Sequence, residues 1–218
     1  SSLFAEHHRW GFFPGISAGW IMSDEPFMKN IKSINTLKLR ASYGQTGNNS
    51  IGIYDALGRY STDARYDGNA GIVPNVMPNP NLTWETTTQL DLGFDFNLLD
   101  NRLSVIFDYF DKRTNNLLFK KELPNTSGFK DINTNVGKVK FYGFDIEVSS
   151  VNIRNKDWEW TTRMTWSYVK NKVLKLPFNG RDKNRIGGVT LADGTAFGGI
   201  AEGEPMYRYY GFIVDHIL

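Results

Sequence analysis

The chain has 218 residues, no cysteine and a formal net charge of +2. Without cysteine there is no disulfide scaffold, no thiol catalysis and no thiolate-bound metal. The mild charge, whose one basic cluster is the solvated run from Lys170 to Lys175, gives no expectation of a nucleic-acid partner.

Mean hydropathy is −0.39. No apolar run approaches the roughly 18 residues that a membrane-spanning helix needs, but that test does not detect barrels, whose spanning strands are apolar only at alternate positions. Aromatic residues make up 14% of the chain and 21 residues are glycine, a mixture suited to strands and tight turns. Ser1-Ser2-Leu3-Phe4 shows no secretory leader, and Gly211 to Leu218 reads as a strand cut short. An internal fragment of a larger protein is therefore expected.

Taken in chain order, the first predicted strand runs from Phe12 to Met22. Ser23 to Lys29 follows as a single helical turn, with Ser23 or Asp24 as N-cap. Leu37, Leu39, Ala41 and Tyr43 then alternate with Lys38, Arg40, Ser42 and Gly44. The clearest alternation spans Thr88 to Leu98, with Leu90, Leu92, Phe94 and Phe96 on one face. The turn Leu99 to Arg102 leads into Leu103, Val105, Phe107 and Tyr109, which predicts a hairpin of two long strands. Phe144, Ile146 and Val148 form the next stripe, then Trp158, Trp160, Thr162, Met164, Trp166 and Tyr168, and a last strand starts near Met206.

The links between strands alternate in length. Ser23–Ser33, Leu99–Arg102 and Val151–Asp157 are short; Thr46–Glu85, Glu122–Thr134 and Leu176–Glu204 are long. Outer-membrane barrels have tight periplasmic turns and long external loops. Phe96 and Trp158 lie close to short turns, where an aromatic girdle is expected. Alternation alone leaves a soluble carbohydrate-binding β-sandwich open as the alternative.

Several motifs look chemical but have a plainer reading. Gly15-Ile16-Ser17-Ala18-Gly19 matches a nucleophile elbow, yet Trp20-Ile21-Met22 continue the strand and no helix follows. His7 and His8, adjacent on an extended chain, point to opposite sides and have no third ligand. Asp67-Gly68-Asn69 and Asp193-Gly194 are turn chemistry. No catalytic residue, cofactor or metal is expected.

Stretches in a fixed order carry a resemblance. They include Arg9-Trp10-Gly11-Phe12-Phe13-Pro14, Leu37 to Asn48 (LKLRASYGQTGN), Asn79 to Thr88 (NPNLTWETTT), Asp108-Tyr109-Phe110, Asn135-Val136-Gly137 and Tyr142-Gly143-Phe144-Asp145. Together they resemble the SusC/RagA family of TonB-dependent outer-membrane transporters from Ser1 to about Leu176; the tail fits loosely, through Gly203-Glu204-Pro205 and Tyr210-Gly211-Phe212. The resemblance implies residues 1–218 as part of one barrel domain of roughly the 22-stranded, plugged class. It implies a Gram-negative outer membrane, lipid around the wall, energised import of an oligosaccharide or peptide, and a SusD-like surface lipoprotein partner. Coupling to TonB would run through a plug and TonB box that lie outside this chain, as does the final strand.

The expected fold is thus all-β: an antiparallel transmembrane barrel segment of about six long strands. Arg40, Gln89, Asp91, Asp95, Asp108, Asp145, Glu147, Glu159 and Arg163 are the expected lumen-facing residues. Tyr54, Tyr60, Tyr66, Trp84, Phe178, Arg181 and Arg185 are the loop residues expected to meet substrate or lipoprotein, because aromatic faces stack on sugars and Arg or Tyr can donate hydrogen bonds.

Overall fold

The computed structural model describes residues 1–208 apart from 54, 130, 193–195 and 207, and apart from the side chains of Tyr66, Asn125 and Ala196. The predicted last strand beyond Met206 and residue Tyr54 lie outside the described residues. Among the described residues no helix is long and apolar enough to cross a membrane.

Six strands form one antiparallel sheet: β1 (Gly15–Ile21), β2 (Ile34–Asn48), β5 (Glu85–Leu98), β6 (Leu103–Glu122), β7 (Asp131–Arg154) and β8 (Glu159–Lys175), each beside its sequence neighbour in the order β1-β2-β5-β6-β7-β8. Between β2 and β5 a separate two-stranded hairpin, β3 (Arg59–Tyr66) and β4 (Asn69–Val76), stands within what the sequence shows as one long link. Its turn holds Asp67 at φ 49° and Gly68 at φ 79°, the left-handed pair that two-residue hairpins require. A minor pair, β9 (Val189–Thr190) and β10 (Ala196–Phe197), lies after β8.

The period-two patterns become ladders. Leu92 pairs with Tyr109, Phe94 with Phe107 and Phe96 with Val105, so a single register aligns the apolar stripes of β5 and β6. The turn joining them places Leu99, Asp100 and Asn101 all at positive φ, with the Arg102 N–H donating to the Leu99 carbonyl at 3.1 Å. At the β7–β8 turn the Asn155 side chain accepts from the N–H groups of Asp157 (3.0 Å) and Trp158 (2.8 Å), which closes a tight Asx turn.

Three expectations are corrected. The turn after β1 is a 3-10 helix (Met22–Asp24) whose N-cap position is Ile21, so neither Ser23 nor Asp24 caps it. The expected long link from Glu122 to Thr134 is shorter, because Glu122 and Asp131 to Thr134 belong to the ladder: pairing continues to Glu122↔Asp131 across register shifts between Asn115 and Leu118. Asn116 takes φ 55° there, absorbing the extra residue as a bulge. Likewise β7 extends to Arg154, leaving the turn shorter than the expected Val151–Asp157.

The sheet buries little by itself. The accessible surface is 15899 Å2, against about 10,000 Å2 for a compact monomer of this mass. Both buried hydrophobic clusters sit where the longer links gather. One is Phe4, Ala56 and Leu82, flanked by Trp84 and Leu118; the other is Val139, Val173 and Leu176, flanked by Phe141, Ile186, Ile200 and Met206.

Candidate functional site

Two faces of the sheet differ in chemistry row by row. One row across all six strands reads Trp20, Leu39, Phe94, Phe107, Ile146 and Trp166; the next reads Ala18, Ala41, Leu92, Tyr109, Phe144 and Tyr168. Phe94 stacks on Phe107 at 5.4 Å, Phe107 on Phe144 at 6.1 Å and Phe144 on Tyr168 at 5.5 Å between centroids. This face stays open: Trp20 is 45%, Leu92 44% and Trp166 63% exposed. A contiguous apolar surface of this kind needs an apolar partner.

The opposite face holds an ionic lattice. Arg40 on β2 bonds Asp95 on β5 at 2.9 Å and Asp108 on β6 at 3.0 Å, so its guanidinium reaches past a whole strand. The residue between Arg40 and Asp108 in the register is Gly93. A Cβ there would lie 2.3 Å from Asp108 Oδ1, 2.9 Å from the Phe107 carbonyl and 3.1 Å from Arg40 Nη2, so only glycine leaves the path clear. Nearby, Gln89 Nε2 donates to Asp91 Oδ1 at 2.8 Å and Ser42 Oγ to Asp91 Oδ2 at 3.0 Å. Arg163 on β8 pairs with Glu147 on β7 at 3.2 Å. Glu159 pairs with Arg154 at 3.0 Å near the tight turn. Asp145 is exposed and has no ion pair among the described residues. The structure thus gathers the sequence-predicted polar residues on one face and joins most of them to one another. Ser42 and Gly93 share this face by alternation but were not among the expected lumen-facing residues, although a glycine amid a long alternating strand is itself a signal of close approach.

The longer links form the second candidate region. Asn133 and Asn135 of β7 fasten the 49–84 segment. Asn135 Nδ2 donates to the Thr83 carbonyl at 2.8 Å while its Oδ1 accepts the Thr83 N–H at 2.8 Å. Asn79 Nδ2 donates to the Asn133 carbonyl at 2.7 Å, and Asn133 Nδ2 to Asp55 Oδ2 at 3.0 Å. Asp55 in turn pairs with Arg59 at 3.1 Å. Each amide supplies both a donor and an acceptor, so a few residues satisfy a loop backbone.

Beyond β8 the chain folds back on that strand. The Val173 N–H donates to the Glu204 carbonyl at 2.9 Å and the Gly203 N–H to the Val173 carbonyl at 2.8 Å. Arg185 and Lys183 both pair with Glu204, at 3.1 and 2.9 Å. The Leu176 N–H (2.8 Å) and Asn184 Nδ2 (3.0 Å) both donate to Glu202 Oε1. These two bonds, the backbone one first, hold the Glu202 carboxyl below the ordinary glutamate range. The hydrogen bond from Lys183 to Glu204 raises the lysine above its usual value.

The loop candidates separate into two groups. Tyr60 (73% exposed, on β3) and Phe178 (78%) project into the open, and Arg181 is exposed as well. Trp84 instead packs between Phe4 and Phe13, both at 5.4 Å, and Arg185 is 4% exposed in its Glu204 pair. Tyr66 ends β3, and its side chain and Tyr54 lie outside what is described. A cleft of about 500 Å3 opens between the β6 end and the 177–187 segment, lined by Phe119, Lys121, Pro124, Phe178 and Arg181 among others. Among the described residues no cluster of His, Asp and Glu could hold a metal ion.

Comparison with known proteins adds a family. The family described as TonB dependent receptor-like, beta-barrel matches residues 2–209. TonB-dependent receptor P3 of Formosa agariphila is 39% identical over 217 residues, which is 97% of this chain and 21% of that protein. TonB-dependent receptor SusC of Bacteroides thetaiotaomicron is 31% identical over 189 residues, 81% of this chain and 18% of that protein. Among solved structures, the RagAB peptide transporter superposes with a TM-score of 0.72 at 28% identity, over 80% of this chain and 19% of that one. The RagAB peptide importer in its open-open state gives 0.74 at 28% identity, over 83% and 20%. The chain spans about a fifth of the length of these relatives.

Proposed function

Because this chain belongs to the TonB-dependent receptor-like β-barrel family and is part of a Gram-negative outer-membrane protein, we propose that it forms wall and outer mouth of a nutrient importer. Family membership also sets aside the soluble β-sandwich. The apolar face meets lipid and the ionic face lines a hydrated lumen. Short turns lie in the periplasm and the longer links lie outside the cell.

The observation that carries this reading is the contrast between the two faces of one sheet layer. The row from Trp20 to Trp166 is apolar on every strand, while the residues alternating with it hold the Arg40–Asp95–Asp108 lattice. In a barrel wall the outward band is covered by hydrocarbon and the inward groups by water. The ion pairs of the wall are mutual, so Arg40, Asp95 and Asp108 stiffen the sheet, and Asp145 is the candidate left open to solute.

The outer mouth is where solute is recognised, since binding residues concentrate on loops held by a rigid scaffold. Tyr60 offers a ring that can stack on a sugar or a peptide side chain. Phe178 and Arg181 at the edge of the 500 Å3 cleft join an apolar face to a donor fork, which suits either an oligosaccharide or a peptide. Trp84 and Arg185 act as internal struts in this account. A SusD-like lipoprotein caps the mouth through the same loops, and TonB engages other parts of the full protein. The chain itself performs no chemistry.

Deleting residues 60–75 from the complete transporter tests the loop assignment, because it removes most of the β3–β4 hairpin at a surface turn. Uptake of oligosaccharide or peptide, or co-purification of the lipoprotein, is expected to fall. Wild-type uptake with wild-type co-purification would refute the role of this loop and leave the barrel wall standing.

A further inference from the structure

Just beyond the aromatic row of the apolar face, on the side of the longer links, the chemistry of that face changes abruptly on three adjacent strands. The outward positions above Tyr109, Phe144 and Tyr168 hold Arg113 on β6, Lys140 and Lys138 on β7, and Lys170, Lys172 and Lys175 on β8. The register sets them side by side: Arg113 opposite Lys140, Lys140 opposite Lys172, and Lys138 opposite Lys175. Within these paired rows Asp111 is the one acid. It is already shared between Arg113 at 2.9 Å and Lys140 at 2.7 Å. Lys138, Lys172 and Lys175 form no ion pair among the described residues, Lys175 lying close enough to Glu202 to act on its carboxylate through space, and all three are exposed.

Packing this many like charges together costs repulsion, and a wall needs no such cluster. At the same height the other face carries Thr114, Val139, Phe141 and Val173, with Lys112 the cation there. The charge is therefore specific to the outward face. The cations also touch the aromatic belt: Lys140 Nζ lies 4.8 Å from the Tyr142 ring centroid and Lys170 Nζ 5.4 Å from that of Tyr168. Aromatic side chains of that kind mark the level of lipid headgroups.

We propose that this basic patch binds the phosphate groups of phosphorylated lipid headgroups in the outer leaflet, with Lys138, Lys172 and Lys175 as the exposed cations and Arg113 and Lys140 as an ordered pair beside them. The inference rests on the outward assignment of the apolar face made above. Phosphate complements the unpaired positive charge, and the acyl chains of the same lipid lie against Tyr109, Phe144 and Tyr168. A solute in the lumen cannot reach this side of the wall. The lipid becomes a fixed neighbour of β6–β8 and anchors the strands that carry the tall β6–β7 hairpin.

The test uses the full-length transporter in detergent, titrated with phosphorylated lipid A and followed by native mass spectrometry. The combined variant Lys138→Gln, Lys172→Gln, Lys175→Gln should lose affinity by more than about tenfold, since each lysine near such a surface contributes about fivefold. The charge-keeping variant Lys138→Arg, Lys172→Arg, Lys175→Arg should bind like the wild type, and dephosphorylated lipid A should bind weakly to all. Equal adducts for wild type and the glutamine variant would overturn the proposal. So would displacement of the lipid by equimolar inorganic phosphate, which would make this a free-anion site. A bimane label at Trp166→Cys, read with doxyl-labelled lipid, separates the two readings. Quenching with unchanged lipid A binding sinks the patch alone; no quenching sinks the face assignment and the patch with it.

Discussion

The sheet and the longer links gathered at one of its ends hold together by opposite means. Within the six strands the rows from Trp20 to Trp166 and from Ala18 to Tyr168 leave apolar side chains partly exposed on one face, and order comes from ladder hydrogen bonds and the cross-strand ionic lattice. In the loops the order of things is that of a soluble protein. Phe4, Ala56 and Leu82 form one small buried core, Val139, Val173 and Leu176 another, and side chains such as Asn135 and Arg185 bond the segments around them. With the face assignment proposed above, the difference teaches where each region obtains its hydrophobic stabilisation: the wall from lipid, the loops from themselves.

The sharpest way to break this comparison is to open a loop core. Leu82 has no exposed surface, so Leu82→Ala should cost the loop about 2–5 kcal/mol. Amide exchange in the full transporter should speed up across residues 49–84 and leave β5 and β6 protected. Exchange rising equally in the strands would mean the two regions are not separate.

The wall should respond to its two faces unequally. Leu92→Arg is expected to destabilise by roughly 2–4 kcal/mol near the bilayer midplane. Asp91→Asn, one position away, should cost far less because its partners Gln89 and Ser42 can still bond an amide. Denaturant titration in lipid measures both, and equal losses would contradict the face assignment.

A smaller effect tests the lattice. Gly93→Ala forces a methyl against Asp108 and the Phe107 carbonyl, and about 1–3 kcal/mol is expected from the crowding. Paired substitution with Asp108→Ala should recover part of the loss, since the side-chain clash is then relieved. If it recovers nothing, the clash with the Phe107 carbonyl sets the cost.

The smallest effect is one of pH. Because the Glu202 carboxyl titrates below its unfolded value, its bonds to Leu176 and Asn184 stabilise the loop at any pH above that value. The contribution disappears as pH falls through the lowered folded value. Amide exchange in residues 176–206, corrected for its intrinsic pH dependence, should therefore rise on acidification in the wild type. Glu202→Gln should flatten that rise, and an unchanged profile would remove Glu202 from the account.

Much of this was legible from the chain alone. The stripe Leu90-Leu92-Phe94-Phe96 fixes which residues share a face, because strand side chains alternate with period two whatever lies around them. Link lengths placed the short turns together at one end, and Asp67-Gly68 marked a tight turn through its left-handed backbone. Those are local properties, set by a few consecutive residues.

What the tertiary structure alone decided is which distant groups meet. Nothing near Arg40 in sequence says that it passes Gly93 to reach Asp108 on the second strand over; that follows from register and from the missing Cβ. Nothing near Trp84 or Arg185 says that they are enclosed while Tyr60 and Phe178 stand free, since enclosure depends on how segments far apart in the chain fold onto one another. The β8 lysines, which read as a solvated run from Lys170 to Lys175, joined those of β7 in one patch when antiparallel pairing brought 138 opposite 175 and 140 opposite 172. Periodicity is written in neighbours along the chain, but charge clusters and ion pairs are made across it.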